Sequence, residues 1–144
     1  MTCKEIYDIT MALMDEMLDN NNMNNVPDVD YPSTPDYIAR TPGILTILQT
    51  QVVMYFKSRG IDIDTLPRLE TMTDNVDLED DICMGVLPYG LAARLLGQED
   101  TQMSSYFSQL YNSGLANAAE SADGKMKGKQ VSGNNIYGLM RAGD

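Results

Sequence analysis

Apolar residues recur at helical spacing in four stretches of the chain, and each stretch predicts an amphipathic helix. The first stretch follows Thr2, which together with Glu5 matches a capping box at a helix start. Its two adjacent apolar stripes consist of Ile6, Ile9, Leu13 and Met17, and of Tyr7, Met11, Met14 and Leu18. So wide an apolar surface predicts burial on two sides, against its own domain or against a neighbour.

The second predicted helix begins at Ser33 or Thr34 and ends at Gly60. Pro42 lies inside it and removes one backbone donor, which predicts either a kink or a later helix start. The core stripe of this helix is Ile38, Leu45, Leu48, Val52 and Tyr55, widened by Ile44, Ile47 and Phe56.

The third helix is predicted to start near Asp77 or Leu78 and to run to Gly97, with a kink rather than a break at Pro88. The fourth starts near Glu99 and fades over residues 116–122, with Met103, Phe107, Leu110 and Ala118 on one face. Residues 61–78 alternate in polarity and predict an extended connector that allows a short strand or hairpin. The pattern predicts an all-α fold, a small bundle of about four helices with long loops and an extended C-terminal arm.

The last stretch, residues 122–144, differs from the rest in charge and glycine content. It carries a net charge of +2, whereas residues 1–121 carry −13. This contrast predicts a helical domain over residues 1–121 and a flexible Gly/Lys-rich arm over 122–144. The arm holds five large apolar residues: Val131, Ile136, Tyr137, Leu139 and Met140. We expect these residues to anchor the arm on a protein partner, the alternative being a frayed terminus without a role.

Composition argues against most enzyme classes. The chain has no histidine, so Ser-His-Asp, Cys-His and His-bearing zinc sites cannot form, and its two cysteines cannot complete a four-thiolate site. No phosphate-binding glycine loop is present. We therefore expect no cofactor and no enzymatic activity. The longest apolar runs fall short of a membrane span, no signal peptide is recognised, and Cys3 and Cys83 are expected to stay as thiols in a reducing cytoplasm.

The densest group of carboxylates is Asp74, Asp77, Glu79, Asp80 and Asp81. It allows two interpretations, a divalent-cation site or helix capping combined with a solvated acidic face. No calcium-hand pattern with a central glycine and a closing glutamate is present. Capping and solvation are therefore favoured, and a metal-dependent nuclease is the weakest functional hypothesis.

A longer motif occupies residues 86–111, VLPYGLAARLLGQEDTQMSSYFSQLY. It combines Leu87-Pro88-Tyr89-Gly90, an acidic turn, and Tyr106-Phe107 followed by Tyr111. These features, with residues 39–55, ARTPGILTILQTQVVMY, resemble the small head–tail connector (adaptor) proteins of tailed bacteriophages that infect Gram-positive bacteria. The resemblance covers most of residues 1–120.

The resemblance implies a structural virion protein rather than an enzyme. Its protomers would assemble into a ring of about twelve copies in the phage neck, below the portal protein of the capsid. The ring would join the portal to a downstream neck or tail-completion protein, and genomic DNA would pass through its lumen without sequence-specific binding. The protein would reside in the host cytoplasm before assembly and in the virion afterwards.

The same resemblance assigns packing roles. Leu87, Pro88, Tyr89 and Gly90 would shape the central helix, and Tyr106, Phe107 and Tyr111 would pack the fourth helix. The arm residues named above would dock on the portal. The alternative function is a small acidic helical regulator that sequesters a basic partner through its acidic face.

Overall fold

The computed structural model describes residues 1–21, 34–97 and 99–133, with side chains described in residues 1–16, 35–97 and 99–122. This part of the chain contains five helices: α1 Cys3–Asn21, α2 Thr34–Ser58, α3 Asp80–Gly85, α4 Leu87–Leu95 and α5 Thr101–Gly133. No strand occurs in these ranges, where an isolated bridge joins Thr2 to Asn75. The predicted all-α class is confirmed.

Helix α4 lies at the centre of the bundle and contacts all four other helices. Of its nine residues, all but Tyr89 and Arg94 are buried. A helix that is apolar on nearly every side has to be enclosed by its neighbours, which explains why α1, α2 and α5 pack around it.

The start of α1 follows the prediction, and its two apolar stripes are buried to different extents. The backbone N–H of Glu5 donates to Thr2 Oγ1 at 3.1 Å, and that of Thr2 donates to Glu5 Oε1 at 2.9 Å, which is the predicted capping box. The residues of α1 that enter the core are Cys3, Ile6, Tyr7, Thr10 and Met14. Ile9 and Leu13 of the first predicted stripe are only half-buried. The polar Thr10 interrupts the apolar pattern but is fully buried, because its hydroxyl donates to the Ile6 carbonyl oxygen at 2.8 Å.

Helix α2 begins at Thr34 and runs through Pro42 without a break, so of the two alternatives given for Pro42 the later helix start is excluded. Four predicted core residues are buried, namely Leu45, Leu48, Val52 and Phe56. Two others, Ile38 and Ile47, are exposed, which corrects that part of the prediction. The polar residues Thr41 and Gln49 take core positions instead. Gly60 has a φ of 79°, the left-handed conformation that commonly terminates a helix.

The connector between α2 and α3 contains no strand within the described residues, because its backbone groups bond to the start of α1. Cys3 N–H donates to the Asp74 carbonyl oxygen at 3.0 Å, and Lys4 N–H donates to that of Met72 at 2.9 Å. These donors belong to the first turn of α1 and have no partner inside that helix. The connector therefore satisfies the helix start and buries Leu69 and Val76 in the same place.

The third predicted helix is broken rather than kinked. Val86, with φ −125° and ψ −56°, separates α3 from α4. Pro88 lies in the first turn of α4, where its missing N–H costs no helical hydrogen bond.

The fourth predicted helix extends further than expected. Helix α5 continues to Gly133, beyond the predicted end at residues 116–122, so the backbone of residues 122–133 is helical. Residues 134–144 lie outside the described part of the chain, and the division into domain and arm stays a prediction.

Candidate interaction surfaces

The residues of the LPYG motif lie where α2, α4 and α5 meet. Leu87 and Pro88 are fully buried. A Cβ atom at Gly90 would lie 2.8 Å from Tyr111 Cδ1 and 3.0 Å from Leu48 Cδ2, so this close approach requires glycine. Tyr111 donates its hydroxyl hydrogen to Gln51 Oε1 at 3.0 Å, which links α5 to α2. Burial raises the pKa of Tyr111 to about 12.

A cluster of aromatic side chains extends to the surface from the place where α2, α4 and α5 meet. Phe107 is 1% exposed and lies between two tyrosines, with centroid distances of 6.3 Å to the half-buried Tyr89 and 5.7 Å to Tyr106. The Tyr106 ring meets Phe107 edge-on but is itself 42% exposed. Two of the three aromatic residues expected to pack helix four are thus in the core, and Tyr106 presents a ring to solvent.

An apolar stripe on α2, here called the outer stripe, faces away from the core. It contains Ile47, which is 47% exposed, and Met54, which is 65% exposed, with the exposed Gly43 one turn before Ile47. Residues seven apart lie on the same face of a helix. Arg40 adjoins this stripe. Its guanidinium group pairs with the Asp36 carboxylate at 3.3 Å and donates a hydrogen bond to the Arg94 carbonyl oxygen at 3.4 Å. The stripe is apolar with basic groups at one end.

A second surface, here called the acid-rimmed groove, is a cavity of about 370 Å³ between the end of α2, the connector, α3 and α5. Its floor is apolar and consists of Phe56, Ile61, Ile63, Leu78, Ile82, Ala118 and Ala122. Its rim carries the exposed carboxylates of Asp62, Asp77, Glu79 and Asp81. Among the described residues, none of these four carboxylates forms an ion pair. Such a site attracts a ligand that is apolar and basic.

The sequence analysis predicted neither the outer stripe nor the acid-rimmed groove. Ile47 was predicted to face the core, so the outer stripe was missed. The groove was missed because its floor combines the alternating residues after Gly60 with small alanines of α5, which are far apart in the chain. The acidic run before α3 was its one local signal.

The carboxylates of the acidic group, which were predicted to cap a helix and face solvent, have different structural roles. Asp74 accepts hydrogen bonds from the backbone N–H groups of Glu70 at 2.7 Å and Thr71 at 2.9 Å, and these bonds lower its pKa. Asp80 begins α3 and lies 4.0 Å from the N-terminal ammonium. The described residues contain no group of acids, cysteines or histidines that could hold a metal ion.

Both cysteines are buried in the core. Desolvation raises the pKa of Cys3 to about 11 and also raises that of Cys83. A thiol with a raised pKa is a poor nucleophile near neutral pH, so the arrangement suits packing rather than chemistry.

The arm residues are only partly described. Val131 lies in the helical backbone of α5, while its side chain and all of Ile136, Tyr137, Leu139 and Met140 fall outside the described residues. Their expected docking role remains a prediction.

Comparison with protein-family models, with curated proteins and with solved structures finds no match for this chain. None of the helices described has the length and apolar content that crossing a bilayer requires.

Proposed function

We propose that the chain is a structural component of a phage neck, which forms a ring that joins the portal to the tail and encloses the DNA passage. The observation that carries the proposal is the outer stripe of α2, where Ile47 and Met54 stay exposed on a helix whose other side is built into the core. In a ring, the same surface of every protomer meets a different surface of the next one. An apolar stripe on one side of each subunit is the kind of surface that such a contact covers.

The charge of the chain also supports the proposal. Residues 1–121 carry a net charge of −13, and most of their carboxylates are exposed. A passage lined with negative charge repels the phosphates of DNA and lets the duplex slide without sticking. The resemblance of residues 86–111 to head–tail connector proteins gives the proposal its specific assembly: self, portal and a downstream neck or tail-completion protein.

The role expected of the individual residues is mechanical. Leu87, Pro88 and Gly90 keep α4 in place at the centre of the bundle, and the apolar residues from Val131 to Met140 are proposed to dock on the portal. No catalytic step is assigned to any side chain.

The test uses a double variant of the outer stripe, Ile47→Asp with Met54→Asp, and purified portal rings. Two buried carboxylates in a subunit contact would abolish co-elution with the portal, while the circular dichroism of the monomer stays unchanged because both positions are exposed. The matched control is Ser105→Asp with Asn112→Asp, because these two residues are also exposed and seven apart but lie on α5, outside the outer stripe. Co-elution of the double variant at the level of the control would refute the assignment of this surface.

A second candidate is a small acidic regulator that sequesters a basic partner, and the acid-rimmed groove is the observation that favours it. Such a protein would bind its partner as a single 16.0 kDa copy. It would not accumulate on portals, which separates the two functions.

A further inference from the structure

The acid-rimmed groove lies along α5, and its last lining residue on that helix, Ala122, is eleven residues before the helix ends at Gly133. Ala118, Ser121 and Ala122 of α5 line it, and the chain continues from there through residues 123–133 as helix and then through residues 134–144. The volume of about 370 Å³ is at the lower end of the ~300–1,000 Å³ typical of ligand sites. It suits a few side chains of a peptide segment better than a large ligand.

We propose that this groove is the docking site of the C-terminal segment of the same molecule, residues 134–144. In this arrangement Leu139 and Met140 enter the apolar floor, and Arg141 meets the carboxylates of the rim. The inference concerns the free chain and does not depend on the proposed function in a phage neck; on a portal, the segment would leave the groove before it docks there.

The length of the chain fits this return path. From Ala122 to Gly133 the helix rises about 16 Å, at 1.5 Å per residue. Gly133, Asn134 and Asn135 are residue types that favour a reversal of direction after a helix. Five extended residues, 136–140, then span about 16 Å, at ~3.3 Å per residue. This distance returns the segment to the level of Ala122.

The chemistry of the segment matches that of the groove. Residues 136–140 contain four large apolar side chains, and Arg141 follows them directly. The other charged side chain of the segment, Asp144, is at the chain end, three residues further on. Burial of two apolar side chains contributes most of the attraction, and the four unpaired rim carboxylates orient the segment through Arg141.

The same molecule is a better source of the segment than a second copy. A short tether holds the segment near its own groove at a local concentration on the order of millimolar. A second copy offers its segment only at its bulk concentration, which in dilute solution is far lower.

Disulfide trapping in the full chain tests the proposal. The variant carries Ser121→Cys at the groove and Ala142→Cys beside Arg141, which leaves all proposed anchors intact. The matched control replaces Ser121→Cys by Glu120→Cys, which is adjacent and exposed but does not line the groove. Native Cys3 and Cys83 are buried with raised pKa values and react slowly. After addition of diamide, cross-linked species are separated on non-reducing gels.

We expect the Ser121→Cys pair to form its disulfide roughly tenfold faster than the control pair, in a species with the mass of a monomer. Adding Arg141→Glu should slow the reaction severalfold because the rim would then repel the segment. Equal rates for the two pairs would overturn the docking site. Predominantly dimeric products would overturn the same-molecule assignment and make a second copy the occupant, and an unchanged rate with Arg141→Glu would overturn the role of the rim.

Discussion

Gly90 lies where three helices meet, and its lack of a side chain lets them pack. In Gly90→Ala the new Cβ would lie 2.8 Å from the Tyr111 ring, so either α5 or α4 has to shift. We expect the free energy of unfolding to fall by about 1–3 kcal/mol, measured by urea denaturation.

Gly43→Ala is the matched control for this variant. Gly43 is also helical, but a Cβ built there has no atom within 4 Å. Its replacement should stabilise the protein by up to ~1 kcal/mol through helix propensity alone. Equal effects at the two positions would contradict the packing described at Gly90.

The Tyr111 hydroxyl provides a second test at the residue scale. Burial raises the pKa of Tyr111 to about 12, above the ~10 of an exposed tyrosine. Between these values the unfolded chain loses this proton and the folded protein keeps it, so the contribution of Tyr111 to stability is complete below pH 10 and is lost as pH rises towards 12. The difference in melting temperature between wild type and Tyr111→Phe should therefore shrink over this range. A constant difference would indicate an exposed hydroxyl.

Individual residues show how far the sequence predicts this core. The apolar residues Leu45, Leu87 and Phe107 are in the core as expected, because helical periodicity reports large apolar side chains well. The sequence analysis did not predict the buried polar residues Thr10, Thr41 and Gln49. A polar residue is assigned to the surface unless its hydrogen-bond partner is known. Their partners are backbone carbonyls of Ile6, Tyr37 and Pro67, respectively.

At the scale of elements, Gln49 connects α2 to the connector. Its Nε2 donates to the Pro67 carbonyl oxygen at 2.6 Å, and the residue is 1% exposed. Gln49→Ala would leave that oxygen without its partner and create a small cavity. We expect a loss of about 1–3 kcal/mol in the free energy of unfolding, measured by urea denaturation.

Thr50→Ala provides the comparison for Gln49→Ala. Thr50 is exposed, and its hydroxyl bonds only within α2, to the Thr46 carbonyl oxygen. Its replacement should change stability by less than about 0.5 kcal/mol. A loss at Gln49 no larger than this would mean that the connector is not held to α2 by the amide.

The order and helical type of the elements could be predicted, and so could the starts of α1 and α2, but the break at Val86 and the end of α5 could not. The predicted kinked helix is two helices because Val86 adopts a non-helical conformation and Pro88 then starts a new first turn. The alternation after Gly60 suggested a strand, yet the connector finds its hydrogen-bond partners at the start of α1. The second outcome depends on contacts between distant parts of the chain, which a local pattern does not contain.

At the scale of the whole molecule, two unlike surfaces lie on different parts of α2. The outer stripe is centred near Ile47, whereas the acid-rimmed groove begins at Phe56, nine residues further along the helix. Nine residues correspond to a rise of about 14 Å and to two and a half helical turns, so the two surfaces lie on opposite sides of α2. The C-terminal segment can therefore occupy the groove while the outer stripe stays free to contact a neighbouring copy.

The sequence does not predict which apolar residues of the bundle stay exposed. The broad apolar surface of the first helix predicted contact with its own domain or with a neighbour, whereas the exposed residues Ile47 and Met54 lie on the second helix. Which residues of α2 stay exposed depends on how this helix is rotated about its axis relative to α4. Buried residues such as Leu48 and Gln49 set this rotation. This rotation is fixed only when the helices pack together, so the sequence of α2 alone does not reveal it.

Mass photometry of the full chain, alone and with purified portal rings, tests the central claim most directly. The proposed neck function predicts a single 16.0 kDa species alone and a saturable mass increase on portals, corresponding to about twelve copies. A portal mass that stays unchanged at saturating protein would contradict the assignment and leave the sequestering regulator as the better function.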